Sequence, residues 1–70
     1  MARGTVARLV RDRGFGFIRA QDGREIFFHA STLPMGVFDS LREGQELEFE
    51  AETDPGGRGE RARAVRLVDH

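Results

Sequence analysis

The sequence contains no cysteine, no lysine, no tryptophan and no tyrosine, and nowhere does it sustain a long apolar run. Each absence excludes something. Without thiols there are no disulfide staples, and two histidines alone fall short of the ligand set of a structural zinc site, so closure must come from packing. The lack of an apolar run argues against a signal peptide or a spanning helix and predicts a cytoplasmic protein with no membrane partner. Catalytic signatures are missing as well: no cysteine nucleophile, no paired-histidine metal spacing, no glycine loop ending in Lys-Ser or Lys-Thr, and no serine-nucleophile motif. His29 and Ser31 are close in sequence, but no third group stands ready to orient them. The expectation is a non-enzyme that uses no metal or cofactor and takes no small-molecule substrate.

Seventy residues predict one domain, spanning 1–70. A core of this size supplies only about 3–5 kcal/mol of stability. Hydrophobic residues at 39% against 33% charged are still enough to fold, where a disordered tail would be poorer in apolar side chains. The net charge of −1 conceals a segregation along the chain. Residues 1–30 carry six arginines against three acids, residues 31–57 carry Arg42 against seven acids, and residues 58–70 carry four arginines against two acids. A fold that joins the two ends is therefore expected to have a basic side and an acidic side. All eleven basic residues are arginine, whose planar guanidinium both stacks on bases and pairs with phosphates.

The periodicity is that of strands. Residues 46–52 alternate strictly, with Leu47, Phe49 and Ala51 on one face and four glutamates on the other, a solvated ladder that keeps the domain soluble. Residues 15–20 and 25–29 are rich in β-formers and are separated by Gln21-Asp22-Gly23-Arg24, which predicts a hairpin. Thr5 to Val10 and Arg61 to Val68 supply two outer strands with imperfect alternation, where bulges are expected. A glycine-rich turn, 54–59, precedes the last strand, and a long connection from Ala30 to Gly44 holds a short helical turn near Ser31. Five short strands without a covering helix need a closed or nearly closed barrel to hide their edges.

The placement of the phenylalanines is the anomaly. Only one face of each hairpin strand can be core. If Ile18 and Ile26 point inward, then Phe15, Phe17, Phe27 and His29 all point outward in one patch. Leaving three such rings wet forgoes about 1.5–3 kcal/mol of burial each, so the patch needs a partner. Aromatic faces bordered by arginines suit single-stranded nucleic acid, at about 1–3 kcal/mol per stacked base. Gly14 and Gly16 fit either a bulge or a place where a base comes close. Arg61, Arg63 and Arg66 are open between ordinary surface charge and a wider basic rim. A second reading covers the patch with a homodimer or a protein partner, leaving weak or no nucleic-acid binding.

Arg13-Gly14-Phe15-Gly16-Phe17-Ile18 resembles the first ribonucleoprotein motif of the bacterial cold-shock proteins, and Ile26-Phe27-Phe28-His29 resembles the second. Gly4, Val6, Phe38, Leu41 through Gln45 and Arg58-Gly59 also fall where that family has equivalents. The resemblance implies an all-β fold, a five-stranded antiparallel OB-fold barrel, that binds single-stranded RNA or DNA as an RNA chaperone or a regulator of transcription or translation; the size and surface of the chain make a monomer the default. It implies that Phe15, Phe17, Phe27, His29 and an exposed Phe38 meet bases, that Arg13 and Arg58 approach backbone or base edges, and that Glu25 accepts a hydrogen bond from a base; read by itself, Phe38 in its polar loop is also open to a place under the barrel as a satellite core residue. Arg8 stands where the family commonly has a tryptophan, and Ala30 where it commonly has an aromatic. Two lost stacking surfaces, at roughly 1–3 kcal/mol each, predict weaker or more salt-dependent binding, with the Arg8 guanidinium returning about 0.5–1 kcal/mol.

Overall fold

The structure, a computed structural model, describes residues 2–34, 36–53, 56 and 59–68. It is built from five strands, β1 (Ala2–Val10), β2 (Phe15–Ala20), β3 (Glu25–His29), β4 (Glu46–Thr53) and β5 (Glu60–Leu67). A 3₁₀ turn, Ala30–Thr32, and one short helix, α1 (Val37–Ser40), lie between β3 and β4. The strands close into a barrel in the order β1-β2-β3-β5-β4. Four pairings are antiparallel, but β3 meets β5 in parallel at Phe27 and Arg61, so the barrel is mixed rather than wholly antiparallel. The hairpin expected at residues 15–29 is present, with Phe17 opposite Phe27 and Ile18 opposite Ile26.

Alternation decides what is core. Ile18, Ile26 and Phe28 face inward and are wholly buried, with Val6, Leu47 and Phe49 from the flanking strands. Leu33, Phe38 and Leu41 from the long connection complete the cluster, together with Ala20, Ala62 and Val65. The expected bulges occur. One lies between Val6 and Arg8 in β1, and the other skips Arg63, so that Glu50 faces Ala64 and Ala51 faces Ala62. The second bulge breaks the alternation read from β4: Ala51 is exposed instead of joining Leu47 and Phe49 inside.

Gly16 shows what the hairpin glycine does. A Cβ built there would come within 2.6 Å of the Arg8 carbonyl and 2.9 Å of the Phe28 ring. The missing side chain therefore lets β1 approach β2 over the core ring and opens no space for a base. The turn read at residues 54–59 lies largely outside the described residues.

Candidate nucleic-acid interface

Phe15 and Phe17 sit two apart on β2, while Phe27 and His29 lie directly opposite them on β3. Side chains two apart on a strand, and side chains directly opposite across an antiparallel pair, share a face. The four form a block on the outer surface, and all three phenylalanines are half-buried. Ring centroids are 5.5 Å apart for Phe15 and Phe27, and 6.0 Å apart for Phe15–Phe17 and Phe17–Phe27. Two of these contacts are edge-on, at 88° and 71°, the arrangement aromatic quadrupoles favour. The rings thus hold one another upright and keep part of their surface outward.

His29 is fixed by its backbone surroundings. It caps the 3₁₀ turn: its Nδ1 accepts the Ser31 backbone N–H at 3.1 Å and lies 3.0 Å from Ser31 Oγ. With Nδ1 accepting, the neutral ring carries its proton on Nε2, a donor at the outer face. Ala30, where an aromatic was missed, packs half-buried against the core at the start of that turn, and its N–H donates to the Gly14 carbonyl at 2.8 Å.

The β1 bulge re-aims the strand so that Arg8 lies opposite Phe17. One row therefore crosses the barrel wall as Arg8, Phe17, Phe27 and Arg61. Arg8 and Arg13 are exposed, and among the described residues neither guanidinium has a carboxylate or ring partner. Glu25 is exposed at the other end of β3, where it takes a 3.0 Å hydrogen bond from Arg19. Arg58 lies outside the described residues.

Phe38 is a correction. The expected exposed ring is only 6% accessible and packs edge-on against Phe28 with centroids 6.0 Å apart. The left-handed turn at Gly36 starts α1, and the Arg11 guanidinium donates to the Asp39 carbonyl at 2.7 Å and to the Leu41 carbonyl, tying that segment down. The ring is turned into the core as a result. Arg11 carries no motif signature, and only the folded chain brings it to those carbonyls.

The expected acidic side is also revised. Arg66 reaches Glu48 at 2.8 Å, Arg61 reaches Glu52 at 3.0 Å, Arg63 pairs with Glu50, and Arg3 spans Glu46 and Glu48 at 3.8 Å. The last strand's arginines are interleaved with the glutamates rather than segregated from them. Hydrogen bonding from Arg66, with its charge, holds the Glu48 carboxyl below its ordinary range against a partial desolvation, while Glu48 pushes Arg66 up. Asp22 is likewise lowered, first by the Arg24 backbone N–H, and Arg24 is raised by Glu60 and Asp22.

Among the described residues no helix is long and apolar enough to cross a membrane. Comparison with known proteins agrees with the barrel and its motifs. The "Major cold shock protein" of Streptococcus pyogenes serotype M18 is 40% identical over 62 residues, covering 89% of this chain and 90% of that protein. "Cold shock protein CspC" of Bacillus subtilis is 39% identical over 66 residues, covering 94% of this chain and 97% of its own length. A family model described as the "'Cold-shock' DNA-binding domain" matches residues 2–68, and the chain belongs to that family.

Proposed function

We propose that this protein binds single-stranded RNA or DNA without catalysis, by stacking bases on Phe15, Phe17 and Phe27 beside His29, with Arg8 and Arg13 drawing the phosphates. The observation that carries this reading is the outward block of three mutually packed rings, bordered by Arg8 and Arg13, which have no carboxylate partner among the described residues. Members of the family are nucleic-acid-binding, non-enzymatic proteins. In the cell the protein acts as an RNA chaperone or as a regulator of transcription or translation, as a cytoplasmic monomer. Stacking accepts any base, so sequence preference is modest. Affinity is lower and more salt-dependent than is usual in the family, because Arg8 and Ala30 replace two stacking surfaces.

The test is fluorescence anisotropy of a labelled heptanucleotide, RNA and DNA, titrated with wild type and with the double variant Phe17→Ala, Phe27→Ala. Wild type should saturate, and the variant should lose most of its affinity, at about 1–3 kcal/mol for each ring that held a base. No saturable binding up to about millimolar protein would favour a protein-interaction barrel, at an affinity so poor that only about 4 kcal/mol remains. Unchanged affinity in the variant would place the ligand on another face.

A further inference from the structure

The arginines divide by what their guanidinium groups hold. Arg3, Arg19, Arg24, Arg61, Arg63 and Arg66 are ion-paired to carboxylates, and Arg11 is committed to two backbone carbonyls. Among the described residues, Arg8, Arg13 and Arg42 hold neither. The first two border the rings. Arg42 belongs to neither motif, yet its backbone is firmly placed. Its N–H donates to Gln45 Oε1 at 3.2 Å, and the Gln45 N–H donates back to the Arg42 carbonyl at 3.1 Å, closing a turn in which Gly44 adopts a φ of 89°.

That turn is joined to β1. The Gly44 N–H donates to the Val6 carbonyl at 2.7 Å, and the Val6 N–H donates to the Gln45 carbonyl at 2.9 Å. On its other side the Leu41 carbonyl is gripped by Arg11. The turn therefore continues the β1–β4 ladder beyond Thr5 and Glu46, on the edge of β1 away from β2. An exposed cation, with no carboxylate partner among the described residues, therefore stands on a fixed turn bonded to β1 at Val6, two positions before Arg8, whose side of the bulge faces Phe17.

We infer that Arg42 is a phosphate-binding residue of this interface, carrying a single strand of RNA or DNA from the phenylalanine rings across Arg8 to the turn before β4. The inference rests on the proposed nucleic-acid reading and assigns that site a further length. It also separates two kinds of arginine: those already neutralised by carboxylates contribute little to the salt dependence of binding, and the unpaired ones contribute most of it.

The experiment measures heptanucleotide and trinucleotide affinity against salt for wild type, Arg42→Gln and the control Arg63→Gln. For the heptanucleotide, Arg42→Gln should reduce the logarithmic salt slope by about 0.7, which is about fivefold in affinity at 0.1 M salt. The trinucleotide, confined to the rings, should bind both variants as it binds wild type, which also shows that they are folded. Arg63→Gln should leave both ligands unchanged. If Arg42→Gln retains the full slope, or if Arg63→Gln lowers it equally, Arg42 has no such role while the aromatic site stands. If wild type binds neither oligonucleotide, the nucleic-acid reading itself fails and this assignment fails with it.

Discussion

The outer face of β2–β3 and the outer face of β4–β5 belong to one barrel and both carry arginine, but they handle it in opposite ways. On β4–β5, Arg61, Arg63 and Arg66 each pair with a glutamate across the strands. On β2–β3 and its margins, apolar rings stay half-exposed, and among the described residues Arg8 and Arg13 have no carboxylate partner. Exposed ion pairs contribute little to stability, so the paired wall is mainly a neutral, soluble surface. The lesson is that arginine number does not mark the proposed binding face. What marks it is unsatisfied chemistry: cations without anions beside rings without cover.

The sharpest way to break this contrast uses two neighbours on β3 that face opposite ways. Phe28 is wholly buried and Phe27 is half-exposed. Phe28→Ala should cost about 3–5 kcal/mol, comparable to the whole stability of so small a domain, and circular dichroism at 25 °C should show a largely unfolded chain. Phe27→Ala should melt cooperatively and lose about 1–3 kcal/mol of oligonucleotide affinity instead. Were Phe28→Ala to stay folded and lose only binding, the two faces would have been assigned backwards.

Gly16 tests the boundary between faces. Gly16→Ala should destabilise by about 1–3 kcal/mol in denaturant titrations, because the new methyl meets the Arg8 carbonyl and the Phe28 ring. Normal stability with poor binding would instead assign that glycine to the ligand. The smallest effect belongs to the paired wall. Glu48 has a folded pKa below its ordinary value of 4.5, so its contribution is present above that pH and is lost as pH falls through the lowered value. Glu48→Gln should flatten the fall of the melting temperature between about pH 5 and pH 3 and leave binding at pH 7 unchanged. An unaltered acid profile would mean that the Arg66 pair contributes nothing to folding.

Much of this was legible in the sequence because alternation and turn chemistry are local. The hairpin, its inward Ile18 and Ile26 and its outward ring block all followed from a two-residue period and an Asp-Gly turn. What escaped was set by distant partners. β1 begins at Ala2 although Ala, Arg and Gly are poor strand formers, because residues 2–5 find a ladder on β4. Phe38 was open in the sequence between a loop ring left in water and a satellite core residue, and it is buried where Arg11, 27 positions earlier in the chain, grips the C-terminal end of its helix. The glutamate ladder was visible, but which arginines face it depends on a strand register that a single bulge shifts.

The parallel contact of β3 with β5 gives the barrel an uneven girdle. Every other junction is stitched over several residues, whereas among the described residues this one has a single facing pair, Phe27 with Arg61. A short ladder is expected to open at lower free energy than global unfolding, which amide hydrogen exchange along β3 would read. Because Phe27 is one half of that stitch, an oligonucleotide bound there as proposed would fasten the hoop at this junction, and occupancy would raise the resistance of the whole shell to opening.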